Sequence, residues 1–156
     1  MSSVDVGTTA PDFTLVDQDR TPVTLSASRG RPVVLVFFPG AFSATCTAEL
    51  CAFNTRMSRL NAANAQVYGI SVDTFFALKA FRESQQLSFP LLSDFNKEVI
   101  RLYDVFFEDM IGLKGLAKRA VFVIDQAGVI RHRQVVEDAR NEPDYEAVFG
   151  SLASLR

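Results

Sequence analysis

Two cysteines are the residues of this chain best suited to do chemistry. Cys46 and Cys51 are its only cysteines, and four residues separate them. A strand-like apolar run ends just before this segment, and helical spacing begins at about Ser43, so Cys46 is expected near the first turn of a helix. Free backbone N–H groups and the positive end of the helix dipole there favour a thiolate, the nucleophilic form of cysteine. The segment therefore predicts a reactive thiol at Cys46, and the alternative is a small buried core residue.

Composition narrows the class of protein. The 156 residues fit one domain, residues 1–156, and 48% hydrophobic content is enough for a substantial core. The net charge is −2 with scattered basic residues, which argues against a nucleic-acid partner. One histidine and two cysteines are too few for a structural zinc site or a disulfide scaffold. The N-terminus lacks a leader pattern and the longest apolar run, residues 33–38, is too short to span a membrane, so we expect a soluble, cytoplasmic protein.

Strand and helix patterns alternate along the chain. Residues 33–38 form an uninterrupted β-branched and aromatic run, typical of a central strand buried on both faces. Residues 43–64 carry large apolar side chains on one helical stripe, which predicts a single long helix. The other predicted elements are a hairpin around residues 17–20, a strand at 67–72, a helix from Asp73 or Thr74 to about Gln86, a short strand at 91–92, a helix at about 96–103, a hairpin of 120–124 with 129–133, and a helix at about 145–155.

This order of elements predicts an α/β fold. Parallel crossovers followed by a late hairpin give a central mixed β-sheet with helices on both faces, and the thioredoxin-like fold is the best match. A doubly wound, flavodoxin-like sheet is the alternative, which the hairpin near the end of the chain disfavours. Gly128 is expected at the hairpin position that needs a positive φ.

The cysteine segment resembles the peroxiredoxin signature Pro-x-x-x-Thr/Ser-x-x-Cys. Pro39, Ser43 and Cys46 occupy its fixed positions, with Ser in place of the commoner Thr. The chain is similar to the bacterioferritin-comigratory (Q-type) and alkyl hydroperoxide reductase E-like branches of that family. The segments that carry the resemblance are residues 10–13, 37–39, 89–94 and 119–125.

The resemblance implies a thiol peroxidase whose Cys46 thiolate attacks a peroxide and becomes a sulfenic acid. Expected substrates are hydrogen peroxide, organic hydroperoxides or peroxynitrite, without metal, haem or flavin. Arg119 would stabilise the thiolate and the developing charge, and Glu49 would orient Arg119. Ser43 would hydrogen-bond the peroxide and the thiolate, the backbone N–H of Cys46 would help to hold the substrate, and Pro39 would shield the sulfur. Without the resemblance, the sequence favours surface charges at Arg119 and Glu49 and a helix N-cap at Ser43.

The resemblance to the Q-type branch also implies that Cys51 resolves the sulfenic acid through an intramolecular disulfide. Positions i and i+5 of an intact helix lie about 8 to 9 Å apart at Cα, and a disulfide requires less than about 7 Å. Resolution by Cys51 therefore requires the first one or two turns of the helix to unwind. The alternative is a packed core thiol at Cys51, with Cys46 resolved by an external thiol as in one-cysteine members.

The partners are less sharply defined. The resemblance implies recycling by thioredoxin, glutaredoxin or a similar thiol reductant.

Residues 105–116 are apolar and irregular, with Phe106, Phe107 and Met110. Together with Phe42, they predict either a hydrophobic wall for bulky hydroperoxides or part of a homodimer interface. We assign no role to His132. A thioredoxin-like disulfide reductase is disfavoured by the cysteine spacing, and a non-enzymatic redox sensor on the same fold stays open.

Overall fold

The apolar run before the cysteine segment forms the central strand of the sheet. The computed structural model describes residues 4–155, so Met1 to Ser3, part of the N-terminus expected to lack a leader, lie outside it. In strand β3 (Val33–Phe37) all five residues are buried. Alternate residues of this strand belong to two separate hydrophobic clusters, because successive side chains of a strand point to opposite faces. The prediction of a strand covered on both faces is confirmed.

Among the described residues, a mixed sheet of seven strands surrounds β3. The other strands are β1 (Thr14–Asp17), β2 (Pro22–Thr24), β4 (Gln66–Ser71), β5 (Leu91–Ser93), β6 (Phe106–Phe107), β7 (Leu116–Ala117), β8 (Arg119–Ile124) and β9 (Ile130–Val136). The parallel part of the large sheet is built from β3, β4 and β5, and β8 and β9 add an antiparallel edge beside β3. The order across this sheet is β2-β1-β5-β4-β3-β8-β9, so the fully parallel alternative is wrong.

Helices cover both faces of the sheet, as predicted. The α-helices of the described residues are α1 (Ala44–Thr55), α2 (Met57–Ala62), α3 (Phe75–Gln85), α4 (Glu98–Leu102) and α5 (Tyr145–Ala153). Helices α1, α2, α3 and α5 bury side chains in the cluster on one face, and α4 does so on the other. A short 3₁₀ turn, Leu25–Ser28, follows β2. Within residues 4–155, no helix is long and apolar enough to cross a membrane.

The single helix predicted for residues 43–64 is wrong, because the structure divides it. Helix α1 ends at Thr55, the N–H of the following Arg56 bonds to the Phe53 carbonyl in a tight last turn, and α2 then begins at Met57. Phe53 and Leu60 are both fully buried in the same cluster on either side of the break. Apolar spacing continues across the break, so periodicity alone does not reveal it.

The segment of residues 105–116 is also more regular than predicted. Strands β6 and β7 pair antiparallel as a separate two-stranded sheet, too short to give a recognisable alternating pattern.

The predictions of a helix cap before α3 and of a positive φ at Gly128 are confirmed. Thr74, and not Asp73, caps α3 by accepting a hydrogen bond from the Ala77 N–H at 3.2 Å. Gly128 has a φ of 89°, as the hairpin requires.

Gly69, in the parallel part of the sheet, leaves no room for a side chain. A Cβ at this position would lie 2.7 Å from the Leu91 Cδ2 atom, and Leu91 is fully buried. We expect Gly69→Ala to lower the free energy of unfolding by about 1 to 3 kcal/mol, because overpacking must displace buried atoms. Urea denaturation measures the difference. Gly150→Ala in α5, with open space around it, is the control and should raise stability by about 0.5 to 1 kcal/mol. Equal midpoints for Gly69→Ala and the parent chain would contradict the packing argument.

Candidate active site

The β3–α1 loop (residues 38–43) places Cys46 in the first turn of a helix. Ser43 is the N-cap of α1, and its Oγ accepts a hydrogen bond from the Cys46 N–H at 3.3 Å. The Ser43 carbonyl accepts a second bond, from Thr47 Oγ1 at 2.8 Å. Cys46 is fully buried. The thiol therefore lies where the positive end of the helix dipole favours its thiolate, and the N–H expected to hold a substrate is bonded to Ser43.

Arg119 meets Cys46 because of the pairing between β3 and β8. Phe37, the last residue of β3, pairs with Ala120, so the preceding Arg119 lies beside the β3–α1 loop. The Arg119 Nη1 donates to Cys46 Sγ at 3.4 Å and to Glu49 Oε1 at 2.7 Å. A sulfur and a carboxylate thus share one nitrogen of one guanidinium.

This charged cluster is shielded from solvent. The Arg119 side chain is 1% exposed and that of Glu49 is 0% exposed. Arg119 Nη2 donates to the Ala139 carbonyl at 2.8 Å, which supplies a further partner for the buried cation. Removing Glu49 would leave the Arg119 cation buried without this partner, a change that is strongly destabilising.

Burial sets the ionisation of the pair. Desolvation raises the pKa of Glu49 to about 8, and the charge and hydrogen bond of Arg119 offset this only in part. Burial also acts to lower the pKa of Arg119, but Glu49 and Cys46 together hold that pKa above its ordinary value. Arg119 therefore stays charged, whereas the Glu49 carboxyl takes up a proton far more readily than an exposed glutamate.

A cavity of about 210 Å³ lies over the N-terminus of α1. The Arg119 side chain lines it, and much of the remaining surface is apolar, including Ile111, which is 90% exposed. Met110 lines the cavity as well, whereas Phe42 does not and instead packs on Phe81. The full lining is Pro39, Ser43, Ala44, Thr45, Met110, Ile111, Arg119, Ala139 and Arg140. Such a surface is suited to contact with an apolar group of a ligand.

Five of the six residues singled out from the sequence lie together, and Cys51 lies apart. Pro39 is buried and lines the cavity with Ser43 and Arg119. Cys51 is half-buried, and its Sγ donates to Gln85 Oε1 of α3 at 3.4 Å. Both cysteines are free thiols on an intact α1. Helix geometry alone keeps their Cα atoms about 8 to 9 Å apart, as the sequence predicted.

Two contributions to the site have no signal in the sequence. The Ala139 carbonyl that binds Arg119 is a backbone group in a loop. Asp73, which the sequence suggested only as a helix cap, accepts a hydrogen bond from the Ala41 N–H at 2.8 Å, across 32 residues of chain. Only the folded chain brings these groups together.

The fold and the Cys–Arg pair define a class of thiol-dependent redox proteins, and solved structures identify it further. The chain is similar to peroxidoxin BcpB from Mycobacterium tuberculosis, with a TM-score of 0.87, 30% identity, and coverage of 98% of this chain and 99% of that one. It is also similar to the bacterioferritin comigratory protein of Xanthomonas campestris, with a TM-score of 0.83, 25% identity, and coverage of 99% and 98%.

Sequence comparison defines the family. Residues 6–133 match the AhpC/TSA family. The chloroplastic peroxiredoxin Q of Sedum lineare is 37% identical over 143 residues, which cover 92% of this chain and 74% of that protein. The chain belongs to the AhpC/TSA family, with its relatives among peroxiredoxin Q and bacterioferritin-comigratory proteins. It is a peroxiredoxin, an enzyme that reduces a peroxide at the expense of a thiol.

The raised pKa of Glu49 predicts a pH-dependent stability. Between the ordinary value of 4.5 and about 8, the unfolded chain releases a proton that the folded chain retains, so stability falls as pH rises through this window. Relative to Glu49→Gln, the parent chain should lose roughly 2 to 4 kcal/mol between pH 5 and pH 9. Urea denaturation across this range measures the difference, with Cys46→Ser in both proteins to remove the neighbouring thiol. Glu83→Gln, on the exposed side of α3, is the control. Parallel pH profiles for Glu49→Gln and the parent would contradict the prediction.

Proposed function

We propose that Cys46 is the peroxidatic cysteine of this peroxiredoxin. The observation that carries the proposal is the 3.4 Å contact between Cys46 Sγ and Arg119 Nη1 in a buried site at the start of α1. A fixed cation and a helix N-terminus act on the same sulfur, and both favour its anionic form. Pro39 shields this sulfur, and Ser43 supplies a hydroxyl at the entrance of the site.

The proposed reaction transfers one oxygen atom. The Cys46 thiolate attacks the terminal oxygen of a hydroperoxide, an S–O bond forms, and the O–O bond breaks. The leaving alkoxide or hydroxide takes up one proton, which balances the proton that the thiol released, and departs as alcohol or water. The peroxide is reduced by two electrons, and the sulfur is oxidised by two electrons to a sulfenic acid. Arg119 stabilises negative charge on the reacting oxygens, and Glu49 keeps the guanidinium in place through the 2.7 Å hydrogen bond.

We infer that organic hydroperoxides are preferred over hydrogen peroxide and peroxynitrite, although all three fit the chemistry. The apolar cavity with Met110 and Ile111 lies beside Arg119 and offers a surface for an alkyl group. The related bacterioferritin comigratory protein of Xanthomonas campestris has an alkyl peroxide reduction activity. Binding energy from the alkyl group would then add to the reaction at the oxygen atoms.

We propose that Cys51 resolves the sulfenic acid. Its thiol attacks the Cys46 sulfur, water leaves, and a disulfide forms once the start of α1 has unwound. Two electrons from thioredoxin, glutaredoxin or a similar reductant then restore both thiols. The bond from Cys51 to Gln85 must break first, and the competing candidate is a one-cysteine enzyme in which an external thiol reacts with Cys46 directly.

The cellular setting follows from the same chemistry. We propose a single domain over residues 1–156 that acts as an antioxidant enzyme in the cytoplasm, since its two cysteines are free thiols of the kind kept in a reducing compartment.

We also propose a homodimer through the segment of residues 105–116. In support, Ile111 is 90% exposed and Leu113 is 53% exposed.

Variants of the two cysteines test the proposed mechanism. We expect Cys46→Ser to show no oxidation by peroxide, because a serine hydroxyl is not ionised at neutral pH. Cys51→Ser should still be oxidised at the parental rate and should accumulate sulfenic acid without forming a disulfide. The chain contains no tryptophan, so quenched-flow mass spectrometry is the suitable measurement: sulfenic acid adds one oxygen and the disulfide removes two hydrogens.

Each outcome assigns one cysteine. Peroxide oxidation of Cys46→Ser at the parental rate would refute the role of Cys46. If the parent chain accumulates as much sulfenic acid as Cys51→Ser does, the resolving thiol is external and the one-cysteine alternative is correct.

The cavity predicts a second effect, on substrate preference. Ile111→Ser should lower the rate constant for cumene hydroperoxide roughly three- to tenfold relative to that for hydrogen peroxide, because a side chain that contacts the alkyl group is lost. Leu113→Ser is the matched control, since Leu113 lies in the same segment and does not line the cavity. An unchanged ratio of the two rate constants in Ile111→Ser would show that the cavity does not select the substrate.

A further inference from the structure

The β3–α1 loop is tied to the opposite side of the site by one carboxylate. The Ala41 N–H donates to Asp73 Oδ2 at 2.8 Å. The same oxygen accepts a bond from Ser71 Oγ at 2.7 Å, and the Asp73 N–H donates to Ser71 Oγ at 3.2 Å. Ser93 Oγ donates to the Asp73 carbonyl at 2.6 Å, and both serines are buried. Asp73 is therefore fixed to the ends of β4 and β5, and the loop is fixed to Asp73.

The loop that Asp73 holds is strained. Phe42, the residue after Ala41, has a φ of 69°, a left-handed conformation that is rare for an aromatic residue. Its ring packs against the buried Phe81 of α3 with centroids 5.1 Å apart, yet it stays 56% exposed. Such a conformation persists only when neighbouring contacts impose it. Loss of the bond from Ala41 to Asp73 would allow the loop to relax.

Helix α1 is held differently at its two ends. Near the C-terminal end, Asn54 Nδ2 donates to the Gln86 carbonyl at 3.1 Å and Asn54 Oδ1 accepts from the Ser88 N–H at 2.9 Å. Phe53 beside it is fully buried. The first turn depends on the Ser43 cap, on the contact between Cys46 and Arg119, and on the loop that precedes it. Unwinding through residue 50 would also break the contact between Glu49 and Arg119, whereas the two bonds of Asn54 would stay in place.

We propose that Asp73 is a positioning residue for the peroxidase reaction. Through the Ala41 N–H it keeps the β3–α1 loop and the first turn of α1 in the conformation that holds Cys46 against Arg119. Release of this bond lets oxidised Cys46 leave the site and reach Cys51. The inference rests on the proposed roles of Cys46 and Cys51, and Asp73 itself does not touch the substrate.

Once the Cys46 sulfur is oxidised, the bond between Ala41 and Asp73 contributes a larger share of the contacts that hold the loop. A thiolate is held by the Arg119 cation through a charge-assisted contact, and a neutral sulfenic acid loses most of that attraction. The link between Ala41 and Asp73 and the packing of Phe42 on Phe81 then hold the loop before α1. The lifetime of the Cys46 sulfenic acid therefore depends on how readily the hydrogen bond between Asp73 and Ala41 breaks.

The test compares Asp73→Ala with the parent chain. Asp17→Ala is the matched control, because Asp17 also accepts backbone N–H groups, from Asp19 and Thr21, but in the β1–β2 turn. Quenched-flow mass spectrometry with cumene hydroperoxide separates the two steps. Loss of a hydrogen bond to a charged group changes an equilibrium by roughly tenfold or more. We expect Asp73→Ala to form the disulfide roughly tenfold faster, while its oxidation step is unchanged or slower. Destabilisation elsewhere in the chain, which Asp17→Ala reports, should leave the rate of disulfide formation unchanged.

Hydrogen exchange of the reduced proteins gives a second measurement that does not depend on the disulfide. The amides of residues 44–50 should exchange roughly tenfold faster in Asp73→Ala and at the parental rate in Asp17→Ala. Asp73→Asn, which keeps an acceptor oxygen without the charge, should lie between the two, and it replaces the alanine variant if that variant does not fold.

The outcomes separate the two proposals. If Asp73→Ala is oxidised normally, forms the disulfide at the parental rate and keeps the parental exchange, Asp73 does not position the loop and the proposed function stands. If the parent chain forms no intramolecular disulfide, the role of Cys51 fails, and the exchange measurement alone decides whether Asp73 holds the first turn.

Discussion

The Arg119 guanidinium lies almost fully buried between the Glu49 carboxyl and the Cys46 sulfur, at 2.7 and 3.4 Å. A cation in such a place is tolerated only if its partners stay with it. Both partners come from the first two turns of α1, three residues apart and so on the same face of the helix. The pairing of β3 with β8 places Arg119 beside α1. The position of α1 on the sheet therefore depends on this strand pairing.

This arrangement also affects the ionisation of Glu49. Two anions beside one guanidinium nitrogen cannot both be fully balanced by a single positive charge. Because burial raises the pKa of Glu49 to about 8, its carboxyl can hold a proton over much of the neutral range. The charge of Arg119 is then available to the sulfur. In the proposed mechanism, burial of Glu49 therefore leaves the positive charge of Arg119 to the Cys46 sulfur.

Local patterns in the sequence account for most of the sheet and for part of the site. The buried run of β3 and the spacing of Pro39, Ser43 and Cys46 are local features, so the sequence displays them directly. The role expected of Arg119 came from a family resemblance, and its contact with Cys46 depends on strand pairing between residues 73 positions apart. The break between α1 and α2, the short β6 and β7 strands and the link from Ala41 to Asp73 depend on backbone groups or tertiary contacts, which no periodicity records.

Helix α1 has to meet two opposing requirements. It must be ordered to present Cys46 to Arg119, and its first turns must open if Cys51 is to react with Cys46. The distribution of contacts meets both, since Asn54 and the buried Phe53 secure the C-terminal half, whereas the first turn relies on a serine cap and on the sulfur itself. Oxidation changes the charge of that sulfur and so weakens one of the contacts that order the turn. In the proposed mechanism, the reaction therefore loosens the half of α1 that has to move, whereas Phe53 in the other half stays packed in the hydrophobic cluster.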